Sequence, residues 1–406
     1  MRVCILGTVI GEPRHLLHDT EIGSYKWVND PPPDAWVLGD SDAELSIDQL
    51  CRISGRQIEM TPTPNQARAL EVLRSTDPNI SVRWRYILPQ AQFNAFIKRL
   101  LDDARDAVVE GNSAYYIDIF RKTSSFLGSL EPARIDEAKL YAYYEAEKNA
   151  TNRSTLKSFF SDSSGFAQKV KYHQAATVTG RLTVASGPRI LTLDKHKRDI
   201  ITSSWPDGKV MILDYRSMEP RLALEQVGRP TPEDIYNDIN HQLFGDDLEY
   251  DRIKVMSISL LYGAQEETFR KLSGLQPDAA RDAMEHLGSY FGVRSIRAKL
   301  AAEFKANGFI KNRYGRVIRP KKDAPRLLYN YFIQSTAVDA ALLGFAGAID
   351  LCKAEKWSIR PLFVIHDALL LDVAPGADIY LDRILDRCAD INGFACKFPV
   401  RVENVS

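Results

Sequence analysis

Cysteine is scarce in this chain and never paired. Its five cysteines, Cys4, Cys51, Cys352, Cys388 and Cys396, are odd in number, scattered, and form no Cys-x-x-Cys. That pattern argues against a disulfide framework and a zinc site, and it fits reduced thiols in a cytoplasm. No stretch approaches the roughly 18 to 20 consecutive apolar residues of a membrane span, so no membrane partner is expected. The opening MRVCILGTVIGEPRHLL is interrupted too soon for a secretory signal, and no small-residue cleavage site follows. Internal repeats and low-complexity tracts are missing as well. So is net charge: 53 Lys and Arg balance 53 Asp and Glu. Neutrality alone counts mildly against a nucleic-acid partner.

What is present changes that reading. Between Arg294 and Arg326 there are eleven Lys or Arg against two acids, Glu303 and Asp323. The region 165–198 is basic too, whereas acids gather in 231–251 and in the C-terminal third. Basic stripes can neutralise phosphates locally even when the total charge is zero. Each stripe alone would pass for a solvated face.

At 406 residues the chain has room for two or three domains with cores. The first 63 residues hold short apolar runs broken by turn-formers, including Pro31-Pro32-Pro33, and are expected to form a small N-terminal module, α/β or irregular. Residues 64–164 read as helical. In 89–111, Phe93, Phe96, Ile97, Leu100, Leu101, Ala104, Ala107 and Val108 recur at helical spacing and define one apolar face. Further helices are expected over 114–130 and 135–148, followed by a polar hinge or tip at 149–154. Beyond 165 the texture is mixed. Residues 209–213 read as a buried strand ending in Asp214-Tyr215. Two apolar runs in 360–373 meet at His366-Asp367 as a hairpin. Between them lie helical patterns at 250–262, 277–291, 295–307 and 327–350.

Asp214 and Asp367 are thus two acids at strand ends, where rigid β structure can present carboxylates to paired divalent ions. A lone strand-end Asp is ordinarily a turn or cap residue, so the pair is weak evidence by itself. The words around it are specific. Asp214-Tyr-Arg-Ser-Met-Glu-Pro-Arg221 resembles D-Y-S-Q-I-E-L-R, the first acidic motif of family A DNA polymerases. Lys254 with Tyr262-Gly263 resembles their K-x₇-Y-G helix, and Val364-Ile-His366-Asp367 their V-H-D. Thr179-Gly180-Arg181-Leu182 resembles T-G-R-L, and Asn330-x-x-x-Gln334-Ser-Thr-Ala-Val-Asp339 resembles N-x-x-x-Q-G-T-A-A-D. Five motifs in the family's order, across 179–373, are very specific.

The resemblance implies an α+β right-hand polymerase: an antiparallel-sheet palm and helical fingers over 165–406 (fingers about 228–326), with 64–164 as a helical thumb. It implies a template-directed DNA polymerase that adds dNTPs to a primer 3′-OH by two-metal-ion nucleotidyl transfer. The implied cofactors are two Mg²⁺ ions, for which Mn²⁺ can substitute, held by Asp214, Asp367 and the backbone carbonyl of Tyr215. Nucleotide contacts fall to Lys254, Tyr262, Ile258, Arg252, Tyr236 and Glu219, with Glu219 packing on Tyr262 to exclude a ribose 2′-OH. DNA contacts fall to Arg181, Arg221, Arg313, Arg316, Asn330, Gln334 and His366. Asn330 and Gln334, four apart on one helix, can check base-pair geometry in the minor groove without reading sequence.

Several family positions differ. Tyr250 stands where the family has an arginine for the triphosphate, with Arg252 nearby. Ile258 replaces a stacking aromatic, and Tyr236 replaces a histidine. Weaker nucleotide binding is expected, by a few kcal/mol at most, unless Arg252 or Arg216 compensates. Asp42-Ala43-Glu44 matches an exonuclease D-x-E literally, but about twenty residues separate it from the helical region, far fewer than that fold requires. No 3′→5′ proofreading is therefore expected, and a separate exonuclease or processivity protein is a candidate partner beside primer-template DNA and dNTPs. The compact form suggests a phage-like replication enzyme in the cytoplasm of a bacterial host. Two rivals stay open: a single-subunit RNA polymerase-like enzyme, and a non-catalytic primer-template-binding module.

Overall fold

The structure, a computed structural model, describes residues 2–10, 12–38, 88–109, 114–161, 164–174, 176–320 and 325–405, with isolated positions between 68 and 85. Asp42, Glu44 and Cys51 lie outside the described residues. The chain divides into two compact units, Met1–Arg121 with Gly315–Val317, and Lys122–Tyr314 with Ile318–Ser406.

The first unit contains a four-stranded sheet in the order β3-β2-β1-β4, formed by β1 (Arg2–Ile5), β2 (His15–Asp19), β3 (Tyr25–Val28) and β4 (Trp36–Leu38). β1 runs antiparallel to β2 and parallel to β4. Val3, Cys4, Ile5, Leu16 and Leu17 are buried, giving the short sheet a small core. Of the expected N-terminal module, residues 39–63 lie outside the described residues. Helix α1 (Gln90–Val109) buries Phe93, Ile97, Leu100, Leu101 and Ala104 along the face that the helical spacing marks out. Helix α2 (Ala114–Gly128) carries the division between the units.

Residues 122–164 group with the second unit, not with 64–121. Phe126 packs its ring 6.5 Å from that of Phe345. After α3 (Glu137–Ala146), the polar stretch 149–154 is not a hinge or tip. It begins helix α4 (Ala150–Lys157), because the Asn149 side chain accepts from the backbone N–H groups of Thr151 and Asn152. This N-cap satisfies donors that a polar sequence would otherwise leave to water. The loop reading weighed polarity and overlooked the cap.

The centre of the second unit is an antiparallel sheet in the order β6-β7-β5-β8: β5 (Lys209–Tyr215), β6 (Ile359–Ile365), β7 (Ala368–Val373) and β8 (Val400–Asn404). Val210 to Leu213 and Leu369 to Leu371 are buried, as unbroken apolar strands covered on both faces should be. Helix α11 (Leu328–Ala354) is long and apolar enough to cross a membrane by length and mean hydropathy, although polar residues interrupt its apolar run as the sequence shows. It is the core helix of this unit, with 94% of its most apolar stretch buried inside the protein. The remaining helices are α5 (Met218–Gln226), α6 (Ile235–Phe244), α7 (Tyr250–Leu261), α8 (Glu266–Ser273), α9 (Pro277–Tyr290), α10 (Val293–Asn307) and α12 (Leu381–Ala389).

Gly344 lets α11 seat against the sheet. A Cβ there would lie 1.9 Å from Tyr215 Oη and 2.8 Å from the Cys388 carbonyl. In that space the buried Tyr215 hydroxyl donates to the Cys388 carbonyl at 2.7 Å, tying the end of β5 to α12.

Candidate active site

Asp214 and Asp367 are brought together by strand register. β5 and β7 pair Asp214 with Ala368, the residue after Asp367, and the Tyr215 N–H donates to the Asp367 carbonyl at 3.2 Å. Ile365 pairs with Ala368, so His366-Asp367 forms a two-residue turn with His366 in the left-handed region, at φ 56°. Histidine is among the non-glycine residues that accept this conformation most readily. Just before the turn, the Tyr172 hydroxyl donates to the Val364 carbonyl at 2.7 Å and accepts from the Val364 N–H at 3.1 Å. That clamp fixes the strand feeding the acidic turn.

Burial pushes the Asp367 carboxyl up from 3.8 to about 7, and the charges of Asp214 and Glu219 add to the effect. His366 is held below its ordinary value by partial desolvation and by the positive charges of Arg181 and Arg198. The folded protein therefore binds the Asp367 proton more tightly than the unfolded chain does. Stability without divalent ions should fall as pH rises from about 4 to about 7, and the loss is complete above that range. Accordingly, Asp367→Asn should stabilise the ion-free protein by about 1–3 kcal/mol at pH 8 and by little at pH 4. Urea melts in EDTA at the two pH values check this; equal effects at both would refute it.

The nucleotide candidates fall mostly on one recess of about 290 Å³. Lys254 and Ile258, one turn apart on α7, line it with Tyr236, Tyr250, Arg216 and the two acids. Tyr236 and Tyr250 meet edge to face at 5.4 Å, and burial raises the Tyr236 hydroxyl to about 12. Arg252 is not in this group. It lies two residues from Lys254 on another face of α7, with its guanidinium 3.6 Å from the position of a Cβ on Gly274.

On the other side of the acids, the Tyr262 hydroxyl donates to Glu219 Oε1 at 2.8 Å, and Arg181 Nη2 donates to the same hydroxyl at 3.0 Å. Arg181 also lies 3.4 Å from Glu219 Oε1. The carboxylate thus has the partners that its partial burial requires. Ser217, left-handed at φ 54°, starts α5 and places Glu219 in its first turn. A second recess, of about 220 Å³, joins this network to Gln334, His366 and Asp367. Beside it, Asn330 Oδ1 is buried without a hydrogen-bond partner.

Of three arginines expected at DNA, two are buried and one is exposed. Arg221 is 2% exposed and donates to the carbonyls of Arg216, Pro232 and Glu233, so its guanidinium is a structural brace and not a DNA contact. Arg313 donates to the Gly393 carbonyl and lies over the Phe394 ring, with its side chain 39% exposed. Arg316 is 2% exposed. A motif letter does not reveal whether an arginine points outward or closes a loop.

Among the described residues, no three His, Cys, Asp or Glu side chains gather as a metal cluster. The donor set still fits hard divalent ions, which favour carboxylate oxygen. Among the described residues Asp367 makes no ion pair, although the charge of Arg181 reaches it, and Asp214 already holds a guanidinium: Arg401 on β8 donates to Asp214 Oδ2 through Nε at 2.9 Å and Nη2 at 2.5 Å. Tyr215, whose backbone carbonyl is the implied third ligand, follows directly with its ring buried. Sequence reasoning missed Arg401, Arg198 and Tyr172. Only strand pairing, Arg401 opposite Asp214, could have revealed the first.

The profile of DNA polymerase family A matches residues 123–404, which include both acids, the Lys254 helix and the Tyr262–Glu219 pair. The chain belongs to DNA polymerase family A. DNA polymerase I of Mycobacterium tuberculosis is 23% identical over 235 residues, covering 50% of this chain and 26% of that protein. The DNA polymerase of Mycobacterium phage D29 is 27% identical over 146 residues, covering 32% and 24%. The matched segment thus spans only about a quarter of either relative. The fold is shared with the POL domain of Pol1 from M. smegmatis, solved in complex with DNA primer-template and dNTP. That likeness has a TM-score of 0.65 at 13% identity and covers 99% of this chain and 94% of that one.

Proposed function

We propose that this family A member is a template-directed DNA polymerase that adds dNTPs to a primer 3′-OH without intrinsic 3′→5′ exonuclease. The observation that carries this reading is the pair of strand-end acids, Asp214 and Asp367, in one recess with Lys254. In this reading the β5–β8 sheet is the palm and 228–326 the fingers, and the expected thumb, 64–164, is divided between the two units at Arg121.

Asp214 and Asp367 would hold two Mg²⁺ ions, or Mn²⁺, which when bound supply charge neutralisation and activation of the primer hydroxyl. The 3′-oxygen attacks the α-phosphorus in line. Its bond to phosphorus forms as the bond to the β-phosphate oxygen breaks, pyrophosphate departs, and the hydroxyl proton leaves to solvent. Lys254 draws the triphosphate into the recess from the exposed face of α7. Tyr262, held by Glu219 and Arg181, forms the floor under the base pair, and Glu219 fills the space a ribose 2′-OH would need. Gln334 and Asn330 contact the duplex near the primer end, and His366 contacts the terminus itself. The unpartnered Asn330 Oδ1 is an acceptor awaiting a donor.

Primer extension on a recessed primer-template with Mg²⁺, and then Mn²⁺, tests the reading. Templated dNTP addition is expected. Binding of primer-template without any extension would favour the binding-module rival, and a preference for rNTPs would favour an RNA polymerase-like enzyme. Glu219→Ala should relax discrimination against rNTPs by at least roughly tenfold, which corresponds to about 1.4 kcal/mol. Single-nucleotide insertion with dCTP and CTP measures this, and unchanged selectivity would remove Glu219 from the gate.

A further inference from the structure

Arg401 has two features that a simple structural ion pair lacks. It stands directly opposite Asp214 on the antiparallel neighbour strand, where side chains share a face. Both of its hydrogen bonds fall on one oxygen, Asp214 Oδ2. Its side chain is 52% exposed, so packing does not lock it there. A second acceptor is within reach: Nη1 lies 3.4 Å from Glu403 Oε1, and Glu403 in turn receives Lys195 Nζ at 2.8 Å. A divalent ion drawn to Asp214 would compete with this guanidinium for the charge of the same carboxylate.

The recess around it contains three cations, Lys254, Arg216 and Arg401, and three carboxylates, Asp214, Asp367 and Glu219. Two divalent ions and a nucleotide triphosphate would add nearly equal and opposite charge, leaving a displaced Arg401 beside phosphate oxygens. A guanidinium is suited to bidentate contact with phosphate. Arg401, Tyr250 and Lys254 line the same recess.

We propose that Arg401 is a two-position cation, seated on Asp214 in the free enzyme and on the triphosphate of the incoming nucleotide once a divalent ion takes Asp214. The proposal rests on the ion- and nucleotide-binding part of the polymerase reading above, not on turnover, and adds to it a residue that links ion entry to nucleotide binding. Removing the guanidinium should act with opposite signs on the two ligands. A divalent ion no longer has to displace Arg401, so ion binding tightens. The triphosphate loses a contact, so nucleotide binding weakens.

The test compares wild type with Arg401→Gln and Arg401→Lys, using binding and not turnover. Mn²⁺ affinity without nucleotide is read from water-proton relaxation. Affinity for an α,β-imido dNTP, which cannot react, is read by calorimetry with primer-template and Mn²⁺. Arg401→Gln should bind Mn²⁺ about tenfold more tightly and the imido nucleotide about tenfold more weakly, with Arg401→Lys between. Tighter Mn²⁺ binding with unchanged nucleotide affinity would overturn the proposal and leave Arg401 as a counter-ion only. Unchanged Mn²⁺ affinity, or both affinities falling together, would overturn it as well. If the opposite shifts appear but wild type never extends a primer, the polymerase reading fails and the Arg401 proposal stands. If wild type binds neither ligand, both fail.

Discussion

Asp214→Ala and Asp367→Ala should each reduce templated dNTP addition at least 10³-fold, a loss of about 4 kcal/mol of transition-state stabilisation. Each change removes one of the two carboxylates that converge at the β5 and β7 strand ends, and the third carboxylate lining the recess, Glu219, is already held by Tyr262 and Arg181. The two variants should differ in other respects. Asp367→Ala removes an acid whose ionised form is disfavoured by burial, so the ion-free fold should hold or gain stability. Asp214→Ala frees Arg401 from its partner without exposing a core. Single-turnover extension with Mg²⁺, beside circular dichroism of each variant, makes the comparison. A folded variant that keeps more than a tenth of wild-type turnover would show that its acid is dispensable and would sink the proposed mechanism.

Gly344→Ala should cost roughly 3–5 kcal/mol in stability, the sum of overpacking and a disturbed buried hydrogen bond. The added methyl would sit 1.9 Å from Tyr215 Oη and 2.8 Å from the Cys388 carbonyl. Neither can retreat freely: the hydroxyl is bound to that carbonyl, and the ring packs 5.1 Å from Phe345. Because Tyr215 follows Asp214, activity should fall further than the melting curve alone would suggest. A Tyr215→Phe partner change removes the oxygen that clashes most. It should restore at least about 1 kcal/mol in a double-mutant cycle by urea denaturation. Purely additive effects would mean that the glycine is needed for some reason other than room for Tyr215.

Much of this could be read from the sequence because the signals were redundant. The buried β5 run, the hairpin at His366-Asp367 and the helix carrying Lys254 and Tyr262 each combine a periodicity with a motif. The apolar face of α1 was equally plain, since its buried residues follow the helical repeat. Failures came where a residue's partner is distant in sequence or its direction is undecided. Arg221 turns inward to three carbonyls, Arg252 faces Gly274, and Arg401 meets Asp214 only through strand pairing. The apolar length of α11 is less plain in the letters, since Gln334, Asp339 and similar residues interrupt the run without breaking the helix. The polar 149–154 stretch misled in the opposite sense, since one asparagine cap outweighs a local excess of polarity.

The pairing of Asp214 with Ala368, and the bond from the Tyr215 N–H to the Asp367 carbonyl, make counting along the strands a requirement of the chemistry. A pleated strand shows alternate residues on opposite faces, so a shift of one position would send an acid to the wrong side of the sheet. Exchanging one apolar side chain for another in β5 or β7 leaves that register intact. The number of residues separating each acid from its paired neighbours cannot drift by one. Heredity in this family is free to change composition here, but it has to keep count.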